Sequence, residues 1–189
     1  MQKTTPNKLK RGTFVLLSLA ALTLQGYSQK INWGNAANDI NVDSAGNPLT
    51  DATFTFELGV FSNGEPTPTE FTPTSSNIDF WGDNWVALDT AAYNQEGPPT
   101  PEEGFFSDSW IVPNNPNNTY EGFRAYIWVY NNQAGDETSE WVLITDDGGS
   151  DEWLIPASNG TQQTFPQQFR VSNASTSLYG DLNLSLIHI

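Results

Sequence analysis

The chain has 189 residues, and its 22 acidic and 7 basic side chains give a formal net charge of −15 at pH 7. Such a surface repels phosphate backbones and anionic membranes, which argues against nucleic-acid binding. The chain has no cysteine and one histidine. Catalytic sites of the Ser-His-Asp or Cys-His type need a histidine, and the common zinc sites need cysteine or histidine ligands. The composition therefore argues against both kinds of site.

The first 28 residues have the features of a secretory signal peptide. A basic segment precedes an apolar stretch over residues 13–24 that is too short to span a membrane. The basic residues are Lys3, Lys8, Lys10 and Arg11. Gly26 and Ser28 supply the small side chains that a signal peptidase reads. We therefore expect cleavage after Ser28, export, and a mature chain that starts at Gln29 and carries all 22 acidic residues.

The last six residues, 184–189, have the sequence Leu-Ser-Leu-Ile-His-Ile. All six codons of a transposase sequencing adapter translate to this sequence. We expect residues 184–189 to be an adapter-derived artefact, the natural sequence to stop near Asn183, and the gene to continue beyond it. His188, the single histidine, is then not native. Residues 29–183 are expected to form one domain.

The best-defined feature of the sequence is a predicted β-hairpin over residues 123–146, in which two apolar runs flank a polar loop. In the first strand one face has Phe123, Ala125, Ile127 and Val129, and the other has Tyr126, Trp128 and Tyr130. In the second strand Val142 and Ile144 lie on one face, and Trp141 and Leu143 lie on the other. Strands that are apolar on both faces are covered on both sides, so we expect this hairpin to be central.

A second strand and one helix are predicted before the hairpin. Residues 53–61 alternate between apolar and polar side chains, as in a half-buried strand. A helix of about 13 residues is then predicted from a cap at Ser75 or Ser76, despite the helix-weakening Gly82. Its apolar stripe is Ile78, Trp81, Trp85 and Leu88. We expect Trp81 and Trp85 to pack on the aromatic face of the hairpin.

The remaining apolar segments are short and separated by turn residues. We predict strands at 31–33, 38–42, 105–112, 153–155, 169–171 and 178–179, a turn at 43–48, and proline-rich loops at 64–74 and 94–104. Many short strands and a single helix predict a mainly β protein. The expected fold is a single β-sandwich or jelly-roll-like domain with one short amphipathic helix packed on the sheet.

Four stretches carry a resemblance to a known group. These are Thr-Phe-Thr-Phe-Glu-Leu-Gly-Val-Phe at 53–61, Trp-Gly-Asp-Asn-Trp at 81–85, Ala-Tyr-Ile-Trp-Val-Tyr-Asn at 125–131 and Glu-Trp-Val-Leu-Ile-Thr-Asp at 140–146. Together they resemble uncharacterised secreted bacterial proteins that usually end in a PEP-CTERM sorting tail. The chain lacks that tail, which fits truncation near Asn183. The resemblance implies export and surface sorting, often alongside exopolysaccharide, and brings no known activity.

Tyr126, Trp128, Tyr130 and Trp141 are candidate carbohydrate-binding residues, because an aromatic row on a strand face can stack on sugar rings. The alternative is that the predicted helix covers the row and makes it a second core layer. The two interpretations differ in whether the row faces solvent.

Asp146, Asp147, Asp151 and Glu152 are candidate calcium ligands, since carboxylate oxygens on a flexible loop suit Ca²⁺. The alternative is a solvated acidic turn. We predict no other cofactor.

We therefore predict an exported, non-enzymatic protein of the cell surface or extracellular matrix that associates with exopolysaccharide. The alternatives are a carbohydrate-binding module and a glycoside hydrolase with paired carboxylates. The expected partners are polysaccharide or matrix components, with no nucleic acid and no membrane span in the mature chain.

Overall fold

The structure is a computed structural model, and it describes residues 29–35, 41–49, 53–64, 67–91, 106–113, 119–136, 138–149, 152–157, 166–180 and 187–188. The predicted signal peptide, the proline-rich loop at 94–104 and Asp151 lie outside the described residues. Among the described residues, no helix is long and apolar enough to cross a membrane.

Ten strands and one short helix make up the described fold. In chain order they are β1 (Lys30–Gly34), β2 (Thr55–Asn63), β3 (Thr69–Glu70), α1 (Trp81–Asn84), β4 (Trp85–Ala91), β5 (Ser107–Ile111), β6 (Ala125–Tyr130), β7 (Glu140–Thr145), β8 (Gln167–Arg170), β9 (Thr176–Tyr179) and β10 (Ile187–His188). Single 3₁₀ turns lie at Ile78–Phe80 and Val171–Asn173.

The strands form two sheets that pack together as a β-sandwich. The larger, antiparallel sheet has the order β10-β7-β6-β2-β3, with β4 paired to β2 and β9 paired to β7. The smaller sheet has the order β5-β1-β8, in which β1 is antiparallel to β5 and parallel to β8. The prediction of a mainly β sandwich is confirmed.

The central position of the predicted hairpin is also confirmed. Strand β6 pairs with β2 on one side and with β7 on the other. Its side chains alternate between two separate cores. The main core, between the sheets, contains Ile31, Trp33, Phe56, Leu58, Val60, Phe106, Ala125, Ile127, Val129, Val142, Ile144, Trp153 and Phe169, among others.

The opposite face of the larger sheet has a second core, here called the aromatic layer. Its buried members are Phe61, Trp81, Tyr126, Trp128, Trp141 and Leu143, and its partly buried members are Phe71, Ile78, Trp85, Tyr130, Leu178 and Tyr179. The sequence assigned the two faces of β6 and β7 correctly, because side chains alternate strictly along an extended strand.

The predicted 13-residue helix is wrong over its second half. A 3₁₀ turn and α1 together cover 78–84, and the chain then continues as strand β4. The register Val60↔Val86 and Phe56↔Ala91 pairs β4 with β2, which gives its backbone groups partners from another strand. Val86 and Leu88 pack on the main core, whereas Trp85 packs on the aromatic layer. The spacing of Trp85 and Leu88 from Trp81 therefore matched a helix by coincidence.

Smaller differences concern the segments outside the hairpin. The proline-rich loop at 64–74 contains the two-residue strand β3, which the sequence did not predict. Residues 153–155 form only a single bridge, Leu154 to Arg124, although Trp153 and Ile155 are buried. The turn at 43–48 is present, with Gly46 in the left-handed region at φ 84°.

Candidate functional site

The four candidate sugar-binding residues lie together in the aromatic layer. Trp128 is 0% exposed, Trp141 1% and Tyr126 5%, while Tyr130 is partly buried. The ring of Trp128 lies 4.9 Å from Trp141 and 5.1 Å from Tyr130, measured between centroids. The row that the sequence predicted on one face of the hairpin is therefore assembled, and its two tryptophans have no surface left for a ligand to stack on.

Trp81 and Trp85 cover this row, as the sequence predicted. Trp81 is fully buried and stacks on Trp141 with centroids 5.9 Å apart, and its edge meets Trp128. Trp85 meets the ring of Trp128 at 5.2 Å and nearly at a right angle. Offset stacked and edge-to-face arrangements are the favoured geometries for aromatic pairs.

Hydrogen bonds fix both covering tryptophans. The indole Nε1 of Trp81 donates to the Oδ1 of Asn77 at 2.9 Å. The same oxygen accepts from the backbone N–H of Thr74 at 2.7 Å, which ties the start of the helical segment to the preceding loop. The Nε1 of Trp85 donates to the Glu57 carboxylate at 2.7 Å. Carbohydrate binding by Tyr126, Trp128, Tyr130 and Trp141 stays a prediction, and it would require these covering side chains to move away.

Burial changes the acid–base properties of the two tyrosines in the row. It raises the pKa of Tyr126 to about 12. The pKa of Tyr130 is also raised, first by burial and then by the charge of Glu57 and its hydrogen bond to that carboxylate. Both hydroxyls are therefore held neutral well above physiological pH, as expected for groups in an apolar layer.

The candidate calcium loop is organised around a cation that belongs to the chain. The guanidinium of Arg124 forms an ion pair with Glu152 and donates to the backbone oxygen of Asp146 at 3.1 Å. The Asp146 carboxylate accepts from Ser175 Oγ at 2.6 Å and from the N–H of Gly148 at 3.1 Å. Arg124 thus supplies positive charge at the place where the sequence predicted a calcium ion.

Asp147 faces strand β9 and not Glu152. Its carboxylate accepts from the hydroxyl groups of Thr176 and Ser175. These hydrogen bonds, with that of Thr176 the largest cause, lower the pKa of Asp147. Among the described residues, no group of three or more metal-ligating side chains converges. Calcium binding by Asp146, Asp147, Asp151 and Glu152 stays a prediction, which a calorimetric calcium titration tests.

A cavity of about 340 Å³ opens beside the acidic loop. Its lining comprises Asp146, Glu152, Trp153, Gln167, Gln168, Phe169 and Asn173. The side-chain oxygen of Gln167 is buried here without a hydrogen-bond partner among the described residues. The two carboxylates in this lining, Asp146 and Glu152, are the acidic-loop residues that contact Arg124, so the cavity adds no further acidic ligand to the candidate calcium site.

The sequence did not predict the polar outer face of the smaller sheet. Ile31 and Trp33 of β1 point into the main core, so Lys30 and Asn32, which alternate with them along the strand, point outward. A cavity of about 430 Å³ lies there and is lined by Lys30, Asn32, Ser107, Asp108, Ser109 and Arg170. The alternation in β1 could have shown that Lys30 faces out. Nothing local in the sequence places Arg170 on the same face.

The sequence also did not predict a half-buried hydrogen bond of Asp89. The indole Nε1 of Trp33 donates to Asp89 Oδ2 at 2.8 Å and so joins β1 of the smaller sheet to β4 of the larger one. Burial raises the pKa of Asp89, and the nearby charge of Asp108 raises it further, against the lowering effect of this hydrogen bond. The carboxylate serves as a polar link between the sheets.

Comparison of the chain with protein-family models, with curated proteins and with solved structures gives no significant match. The resemblance to secreted proteins with a PEP-CTERM tail therefore stays an expectation from four sequence stretches.

Proposed function

We propose that the protein is an exported, non-enzymatic component of the bacterial cell surface or extracellular matrix that associates with exopolysaccharide. The observation that carries this proposal is the aromatic layer. The tryptophans that would mark a sugar-binding platform, Trp128 and Trp141, are buried beneath Trp81 and Trp85, and this burial supports a structural module over a platform.

The chemistry of the chain supports the same proposal. A cysteine-free protein outside the cell depends on its core for stability, since it has no disulfide to restrain the unfolded chain. In addition to the core between the sheets, this protein buries apolar side chains on the opposite face of the larger sheet, and their burial adds to stability. A stable module with an acidic, soluble surface suits a role in the matrix.

Export is tested by expressing the full chain in a Gram-negative host and analysing cell fractions by mass spectrometry. We expect a protein that lacks residues 1–28, starts at Gln29 and is found outside the cytoplasm. The matched control deletes residues 2–28 and should remain in the cytoplasm. An intact Met1 terminus in the cytoplasmic fraction of the full-chain strain would show that the proposed export is wrong.

A further inference from the structure

The outer face of the smaller sheet differs in charge from the rest of the molecule. Beyond residue 28 the sequence contains 22 acidic residues and three basic ones, Lys30, Arg124 and Arg170. Arg124 is engaged with Glu152. The other two basic residues both line the cavity of about 430 Å³, and neither has a carboxylate within ion-pair distance among the described residues. Among the described residues, these two cations on one face therefore have no ion-pair partner, in a chain with 22 acidic residues.

The strand register places the two cations at opposite ends of this face. In the parallel ladder between β1 and β8, Arg170 lies beside Gly34, four positions along β1 from Lys30. At about 3.3 Å per residue, the two positions are separated by about 13 Å along the strand direction. Asn32 lies midway between them, and Ser109 is its cross-strand partner on β5.

Neutral hydrogen-bonding groups fill the space between the cations. Ser109 Oγ donates to Asn32 Oδ1 at 2.9 Å, which leaves the Asn32 amide nitrogen as a donor on this face. One guanidinium nitrogen of Arg170 donates to the backbone oxygen of Asn35 at 3.0 Å. This contact fixes the guanidinium and leaves other N–H groups for a ligand, because arginine has five. Asp108 is the one acidic residue in the lining, against the two basic residues Lys30 and Arg170.

We propose that this face, defined by Lys30, Asn32, Ser109 and Arg170, binds an acidic polysaccharide whose carboxylates contact the two cations and whose hydroxyl groups contact the residues between them. Two cations with amide and hydroxyl groups between them match a polymer that carries both carboxylates and many hydroxyls. Duplex nucleic acid has about one charge per 1.7 Å, a higher charge density than a polymer with one carboxylate per sugar, so the acidic remainder of the chain would repel it more strongly.

The proposal deepens the proposed function by naming the partner, and it rests on export because the polymer would be met outside the cell. The test uses the full chain as purified, whether or not residues 1–28 have been removed. A failure of binding therefore leaves the export result standing, and a failure of export leaves the binding result standing.

The experiment measures the affinity of the protein for polygalacturonate and for the same polymer fully methyl-esterified, by calorimetry at low salt. We expect binding to the carboxylated polymer, weakening at higher ionic strength, and much weaker binding to the ester. Lys30→Gln and Arg170→Gln should each raise Kd about fivefold, the size expected for an exposed ion pair. Arg170→Lys, which keeps the charge, should restore most of the affinity.

Gln133→Glu is the matched control. It changes the net charge by the same single unit in the exposed loop between β6 and β7, outside the cavity, and should change Kd less than about twofold. Equal binding of the two polymers would overturn the proposal, as would equal effects of Lys30→Gln and Gln133→Glu. Equally tight binding of duplex DNA, or self-association that Lys30→Gln abolishes, would also overturn it and would assign the face to another partner.

Discussion

Replacement of Trp81 by alanine tests whether the aromatic layer is a true second core. Trp81 is 0% exposed, and its ring contacts those of Phe61, Trp128, Trp141 and Tyr179 at centroid distances from 5.9 to 6.4 Å. A buried tryptophan removes about 200 Å² from water, which at about 25 cal/mol per Å² is worth about 5 kcal/mol. We expect Trp81→Ala to lower the free energy of unfolding by about 3–5 kcal/mol, the measured range for such deletions.

The loss cannot come from local helix propensity, because alanine is the best helix former. The neighbouring Phe80 gives the matched control. Its side chain is 57% exposed, so Phe80→Ala should cost less than about 0.5 kcal/mol. Trp81→Phe keeps an aromatic ring against Trp141 and should lie between the two alanine variants.

The assay is urea denaturation followed by far-ultraviolet circular dichroism and by tryptophan fluorescence. Both probes are needed, because the chain has 7 tryptophans and removing one changes the signal directly. A loss below about 1 kcal/mol for Trp81→Ala, or a loss equal to that of Phe80→Ala, would refute the reasoning. The aromatic row would then be accessible in solution, and sugar binding by Trp128 and Trp141 would become the better interpretation.

Two further predictions follow from the packing. Gly59→Ala should lower the free energy of unfolding, measured by urea denaturation, by about 1–3 kcal/mol, because a Cβ there would lie 2.5 Å from both the Trp85 ring and the Val86 oxygen. Gly82→Ala is the control: the nearest contact of its Cβ would be at 3.6 Å, so it should be neutral or stabilising. The raised pKa of Tyr126 predicts loss of stability between about pH 10, where an exposed tyrosine ionises, and about pH 12. The folded state holds the proton more tightly than the unfolded state, so this contribution is complete below pH 10 and is lost as pH rises. The free energy of unfolding of the Tyr126→Phe variant should fall less steeply between about pH 10 and about pH 12 than that of the unmodified protein. An unchanged slope of this free energy against pH would contradict the assignment.

The sequence predicted the hairpin and its two faces because that information is local. Strand β6 and residues 141–144 of β7 are apolar or aromatic at every position, and strict alternation then decides which side chain faces which core. The sequence even predicted that Trp81 and Trp85 would cover the aromatic row, although it gave them the wrong secondary structure.

The helix prediction was wrong because it relied on the spacing of four apolar residues along the chain. Ile78, Trp81, Trp85 and Leu88 fit one helical face, but Leu88 packs on the main core while the other three pack on the aromatic layer. Pairing of β4 with β2 decides the conformation of 85–91, and no pattern within that segment specifies its partner strand. The cationic face was missed for the same reason, since Lys30 and Arg170 come to share one sheet face only through the pairing of β1 with the distant β8.

The packing also indicates where a surface function can be located. Core side chains cover both faces of β6 and β7 in the larger sheet. In the smaller sheet, Ile31, Trp33 and Phe169 fill the inner face, and the outer face keeps the exposed Lys30 and an Ile111 that is 59% exposed. Aromatic residues that look like a binding platform in the sequence therefore stabilise the sandwich. Lys30 and Arg170, which are easily overlooked in an acidic chain, lie on the outer face of the smaller sheet, where the described residues leave Lys30 exposed.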